Sequence, residues 1–383
     1  MRRHRILVTG VARWWGALTV QRLVADDRVE EVIGIDTEEP HYDLGEGDFL
    51  KVDIRHSLIG KLVRAVGIDT VVHTQTTIDS VEQDARRAHE VNVIGTVNLL
   101  AGLTGDDSPV RRLVLKSSAH VYGSDYRLPA QLTEDTRLDA DSPHSFVRDI
   151  VEAEANLFDF GVRNPAVTVI SLRFANALNP DEPAPLARYF DLPLVPTFLG
   201  FDPILQLIHR DDAVTALAMA AVDGPAGAYN IAGPDPLPLT TLLDEAGKLH
   251  APVLPPAGMN AIGAALRAAG LPTLSSQLVD LLRWGRSLNV GAAKRGLGFR
   301  AARTTLEALD DFIQQRRVLA FMPGGHSYVY DRELEEYIHQ RRLRRRTAGG
   351  TTLRVAPGVA PLSPGEAGAE PPPRRRPRPP RRS

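Results

Sequence analysis

The chain has 383 residues and no cysteine, which excludes disulfides, thiolate metal centres and cysteine nucleophiles together. Its near-neutral total hides a split: residues 341–383 hold 12 arginines against 2 glutamates, a charge of +10, which leaves 33 basic and 45 acidic residues in 1–340, a charge of −12. An acidic body argues against a nucleic-acid-binding domain and confines any polyanion-like footprint to the tail.

The basic start is followed by an apolar run, Ile6-Leu7-Val8, too short for a signal-peptide core. No window approaches the ~20 apolar residues of a spanning helix, so a cytoplasmic protein without a membrane span is expected. RILVTG reads as a first strand, and Trp14 to Ala25 as a helix with Trp15, Leu18, Leu23 and Val24 on one face. EVIGID is a second strand, Lys61 to Val66 a short helix and DTVVHT a third strand. A long helix over Ala85 to Leu103, the strand RRLVLKSS, a helix over Ile150 to Phe160 and the strand AVTVISLR follow. Strand–helix alternation with apolar strands predicts an α/β fold, a doubly wound parallel sheet covered by helices on both faces.

The second half is less regular. Residues 178–206 are rich in proline and turn signals, DDAVTALAMAAV is a helix and GAYNIAG a strand. Two apolar helical stretches fall within 259–285, and Thr304 to Arg317 is a further helix. This predicts a smaller mixed α/β region. From Arg341 onward proline, glycine and arginine dominate, a composition that cannot bury enough apolar area to offset its ordering entropy, so the tail is expected to be disordered. Its arginines suit an acidic partner (RNA, lipid headgroups or protein), unless it is an extension without specific function.

The segment Thr9 to Gly16, TGVARWWG, follows a strand and opens a helix, the setting of a dinucleotide loop. Gly10 would make the tight turn and Gly16 would permit close helix–strand packing, while the helix N-terminus offers N–H groups to a pyrophosphate. Asp36 closes the next strand, where a carboxylate accepts hydrogen bonds from ribose hydroxyls and favours NAD over NADP. The competing reading is a βα turn whose glycines serve packing alone. On the first reading the chain divides into an NAD(P)-binding Rossmann domain over 1–178, to which it returns around 205–225, a mainly substrate-binding region over 179–340, and the tail over 341–383.

TGxxGxxG at this position resembles the signature of the extended short-chain dehydrogenase/reductases, the family of nucleotide-sugar epimerases and dehydratases. The likeness runs from about residue 5 to about 315. KVDIRH resembles the family's adenine-contacting segment, with Asp53 and Ile54 at the matching positions. VVHTQT resembles the strand end along the cofactor and brings in His73; NVIGTVNLL resembles the N-x-x-G-T helix and brings in Asn92. VLKSSAHVYG resembles the strand of the catalytic serine or threonine, at Ser118. SLRFANALNP, IHRDDAV and YNIAG resemble later family segments, the first of them suggesting Arg173 and Asn176 for substrate binding, with turn-forming roles as the alternative. The wording lies nearest to galactose-epimerase-like proteins. The resemblance implies NAD as cofactor, a nucleotide-sugar substrate such as a UDP-sugar, and a homodimer built on helices 85–103 and 146–160.

The pattern breaks at two places. The family's Y-x-x-x-K helix is met by SPHSFVRDIVEAEANLF, which puts His144 in the tyrosine slot and Arg148 in the lysine slot. In one reading His144 transfers the proton, since an imidazole of pKa near ~6.5 is a base at neutral pH, and Arg148 holds the cofactor ribose. In the other the site is silent, because imidazole is shorter than phenol and small misplacement is costly, and the protein is a dinucleotide-binding sensor or scaffold. The second break is Arg13, which stands where the loop's central glycine belongs and either adds a phosphate contact or obstructs the site. Trp14 and Trp15 are expected to pack the helix, Tyr122 to be structural, and His209 and Asp212 to anchor the returning chain.

Overall fold

A computed structural model describes residues 3–76, 84–182, 184–253 and 274–321. The expected disordered tail, and much of the 259–285 stretch, lie outside these residues. Within them, β1 (His4–Thr9), β2 (Val29–Asp36), β3 (Asp48–Lys51), β4 (Thr70–His73), β5 (Arg112–Ser118), β6 (Thr168–Phe174) and β7 (Gly227–Ile231) form one parallel sheet in the order β7-β6-β5-β4-β1-β2-β3. Alternation inside β1 explains the unbroken apolar run Ile6-Leu7-Val8: Ile6 and Val8 belong to one core and Leu7 to another, on the opposite face.

Helix α1 (Trp14–Val24) and helix α6 (Arg210–Asp223) pack on one face, and α2 (Leu58–Val66), α4 (Thr96–Leu103) and α5 (Ser145–Arg163) on the other. The alanine-rich α6 lets helix and sheet approach closely, and it is the return of the chain expected around 205–225. Strand order reverses between β1 and β4, which opens a crevice at the carboxyl ends of these strands, the usual ligand position in such sheets.

Three differences from the sequence reading are instructive. Strand β3 was not expected; it is four residues long, on the sheet edge and mostly exposed, so it carries no apolar pattern to read. The helix expected over 85–103 is α3 (Ala85–His89) running into α4 through a π-helical turn at Glu90–Gly95. A Cβ on Gly95 would stand 2.6 Å from Ile54 Cδ1, so the glycine seats that side chain. Helix α5 starts five residues before the expected Ile150, because Phe146 and Val147 are buried and extend its apolar face by a turn.

In the second half, α7 (Ser276–Trp284) and α8 (Thr305–Phe321) join short strands around a second apolar cluster that includes Phe190, Leu205, Leu242, Leu282 and Phe312. No helix among the described residues is long and apolar enough to cross a membrane.

Candidate active site

A cavity of about 430 Å³ opens at the strand ends on either side of the β1/β4 reversal. Gly10, Arg13 and Asp36 line one end; Lys116, Ser118 and Asn176 line the other.

The loop end follows from backbone geometry. Gly10 has φ +79°, and a Cβ there would stand 2.8 Å from the Gln75 backbone nitrogen. A Cβ on Gly16 would stand 2.4 Å from the Gly10 carbonyl oxygen, so the first turn of α1 rests directly on the loop. Asp36 is buried; its Oδ2 accepts the Ala12 N–H at 2.9 Å and its Oδ1 the Thr37 N–H at 2.7 Å. Oδ1 also receives the Thr37 hydroxyl and the Glu38 N–H at 3.4 Å, whereas Oδ2 accepts Ala12 alone among the described residues, so Oδ2 keeps a lone pair for a ribose hydroxyl.

Arg13 has φ −106°, ordinary extended backbone, so replacing the glycine costs no backbone strain. Its guanidinium is over half exposed and lies 3.9 Å from Glu182. The Glu182 carboxylate accepts the Trp14 N–H at 3.0 Å, at the start of α1 where an anion is favoured, and burial pushes its pKa up. Both tryptophans line the cavity as well as packing the helix: their rings stack at 4.1 Å, and Trp15 lies 5.0 Å from Phe174.

At the other end, Ser118 Oγ accepts the His120 N–H at 3.3 Å, which caps the turn Ala119–Tyr122. His144 stands against α7. Its Nε2 pairs with Asp280 Oδ2 at 2.8 Å and its Nδ1 with Ser276 Oγ at 3.2 Å, both on α7. Arg148 is exposed and donates to the Ser142 carbonyl. Neither lines the cavity. A helix that starts at Ser145 leaves residue 144 as its N-cap, in extended conformation, and the imidazole is drawn to the α7 carboxylate.

Several other residues named from the sequence make their contacts within the fold. Arg173 is buried, donating Nε–H to Glu154 at 2.8 Å and NH1 to the Tyr122 hydroxyl at 3.0 Å. It holds β6 to α5, while Asn176, three residues on, lines the cavity beside Phe174, Ala175 and Ala177. Asp53 is tied to Arg55 at 2.7 Å, which lowers its pKa; Ile54 lies under Gly95 and Asn92 is fully buried. His209 pairs with Asp311 at 3.0 Å, and Asp212 accepts the Ala302 and Arg303 N–H groups at 3.0 Å, so both anchor the segment entering α8.

His73 is a structural joint. Thr96 Oγ1 donates to the Asn92 carbonyl at 2.6 Å and so must accept from His73 Nε2, at 3.0 Å. Nδ1 therefore accepts from Thr9 Oγ1 at 2.7 Å, and the ring ties β1, β4 and α4 together in its neutral form. Burial lowers its pKa to about 3, and that of the half-buried His120 to about 4. The unfolded chain, with histidines near 6.5, then binds more protons than the native state below that pH. Stability is complete above about pH 6.5 and falls as pH drops toward the folded values. His73 alone is expected to remove about 2–4 kcal/mol between pH 7 and pH 4. Urea titrations at both values check this; equal stability at both would remove the neutral-histidine account.

Lys116 was missed by the sequence reading. It is 4 % exposed, its Nζ donates to the Thr76 carbonyl at 3.1 Å and lies 5.0 Å from the Trp15 ring centre, and burial lowers its pKa to about 7. A lysine after the apolar run Leu113-Val114-Leu115, in an interior strand of a covered sheet, was the available signal.

A family model described as the NAD dependent epimerase/dehydratase family matches residues 6–232. An uncharacterised protein of Mycobacterium tuberculosis is 35% identical over 316 residues, 81% of this chain and 84% of that protein. The UDP-glucose 4-epimerase of Dictyostelium discoideum is 26% identical over 232 residues, 54% of this chain and 64% of its own. Among solved structures, the UDP-glucose 4-epimerase of Thermotoga maritima with UDP-glucose gives a TM-score of 0.62 at 19% identity, over 82% of this chain and 99% of its own. The dTDP-glucose 4,6-dehydratase of Streptomyces venezuelae, solved with NAD, gives 0.63 at 24% identity, over 82% and 97%. At such identities the structural likeness speaks for the fold. The family model spans more than half of the chain and every strand of the central sheet, and this protein accordingly belongs to the NAD-dependent epimerase/dehydratase family.

Proposed function

We propose that this protein binds NAD along the cavity and uses it to oxidise or reduce a hydroxyl- or carbonyl-bearing carbon of a nucleotide-linked sugar. One observation carries the reading. A single cavity has a glycine turn and a buried carboxylate at one end, and a serine and an asparagine at the other. Asp36 would take the adenosine ribose hydroxyls, and the Arg13 guanidinium would reach the phosphates. Glu182, which holds the Trp14 N–H, would yield that donor to a phosphate oxygen. Bound NAD supplies the hydride acceptor or donor. Ser118 would orient the substrate oxygen, and Asn176 would hold a polar group of the sugar.

Titration calorimetry with NAD and NADP, followed by assays against UDP-sugars and dTDP-glucose, tests this. Asp36→Ala should weaken NAD uptake by roughly 10–100-fold, the worth of one or two charge-assisted hydrogen bonds. His144→Ala should leave uptake within about twofold, because its partners lie on α7. No NAD uptake by the folded parent sinks the reading.

The placement of His144 and Arg148 favours a second reading, a dinucleotide-binding sensor or scaffold without turnover. Saturable NAD uptake with no conversion of any nucleotide sugar would select it.

A further inference from the structure

We propose that Lys116 is the proton-transfer group of this cavity, in the role that neither His144 nor Arg148 is placed to fill. This rests on the NAD reading above and concerns the same site.

Burying an ammonium without a counter-charge is costly, and such a lysine is retained where its amine is used. Among the described residues the Lys116 amine donates to the Thr76 carbonyl at 3.1 Å and forms no ion pair, so donor capacity remains. It stands two residues before Ser118 on β5, hence on the same face of the sheet and roughly 7 Å along the strand. Both side chains line the cavity. Trp15 and Phe174 wall this end with aromatic surface; the Trp15 face, 5.0 Å from Nζ, favours the ammonium, while burial of the amine favours its neutral form.

The charged groups around the amine act in both directions. His73 on β4 is neutral, Glu182 after β6 raises the lysine's pKa, and Asp181, Arg13 and Arg87 line the same cavity farther round. Asp36 and Glu38 lie at the adenosine end. Burial outweighs these influences, so amine and ammonium are both populated near neutral pH.

The step balances with NAD⁺ as oxidant. The substrate O–H bond breaks and its proton passes to the Lys116 amine, giving an ammonium. The C–H electron pair leaves as hydride for the nicotinamide ring, so the carbinol carbon becomes a carbonyl and NAD⁺ becomes NADH. In the reverse direction the ammonium returns the proton to the oxygen as hydride adds to carbon.

Competitive acetylation read by mass spectrometry tests this on the full-length parent. Of the chain's five lysines, Lys51, Lys61 and Lys294 are exposed and serve as internal standards. Lys116 should titrate near pH 7, and saturating NAD⁺ should slow its labelling at least fivefold while the standards are unchanged. Lys116→Met should keep NAD⁺ affinity within about threefold and lower turnover of any accepted nucleotide sugar by roughly 10²–10⁴-fold, the usual worth of acid–base catalysis. A titration midpoint above about pH 9 overturns the inference. So does labelling that NAD⁺ does not slow although calorimetry shows it bound. A parent that takes up no NAD removes the underlying reading instead.

Discussion

Arg173→Met is expected to lower the free energy of unfolding by about 3–5 kcal/mol, among the largest effects open to a single substitution here, because it leaves a buried carboxylate uncompensated. Arg173 and Glu154 are 6% and 1% exposed at the side chain and pair at 2.8 Å. The remaining bonds are also internal: Ser117 Oγ donates to the other Glu154 oxygen at 3.3 Å, and Arg173 donates to the Glu134 carbonyl at 3.1 Å while its guanidinium lies 5.2 Å from the Tyr122 ring centre. Tyr122 in turn donates to Asn230 at 2.7 Å, so one network ties β5, β6, β7 and α5. The double variant Arg173→Met, Glu154→Leu should recover most of the loss, since an apolar pair of similar volume replaces a buried ion pair at little net cost. Urea unfolding of the parent, both single variants and the double variant decides it. A single variant within 1 kcal/mol of the parent but defective toward nucleotide sugars would return Arg173 to the substrate.

Gly16→Ala should cost about 1–3 kcal/mol of stability, the range for overpacking, and should also damage the dinucleotide loop. The added carbon would stand 2.4 Å from the Gly10 carbonyl oxygen and 2.7 Å from its carbon, both backbone atoms that no rotamer change can move aside. Relief requires α1 to lift off the loop. That motion would displace the Trp14 N–H and the Ala12 N–H that Asp36 orients, so NAD affinity should fall by at least tenfold. Thermal unfolding and NAD calorimetry on the same preparation separate the two effects. Full NAD affinity in a folded Gly16→Ala protein would show that the loop does not set the cofactor site.

The order of strands and helices in the first half was legible because each element carries a local signal. A strand segment buried on both faces reads as an unbroken apolar run, as Ile6-Leu7-Val8 of β1 does, and a helix carries its period. The glycine turn was legible for a similar reason: Gly10 and Gly16 answer to backbone constraints a few residues apart. Signals failed where local pattern is weak or where the distant chain competes for a side chain. Strand β3 has hydrogen bonding but no apolar face. Helix α5 gains its first turn from the burial of Phe146 and Val147 against other elements.

The sequence by itself determined a doubly wound parallel sheet, the loop of Gly10 and Gly16, the acid at Asp36 and the absence of tyrosine and lysine from the 144 and 148 positions. Only the tertiary structure decided which polar side chains face the cavity. It gave His144 to Asp280 across 136 positions of sequence, closed Arg173 onto Glu154, locked His73 between two threonines and left Lys116 among aromatic rings. The physical reason is that a buried polar group takes whatever partner the packed chain brings within hydrogen-bond reach, and those partners lie on elements whose proximity no local pattern encodes.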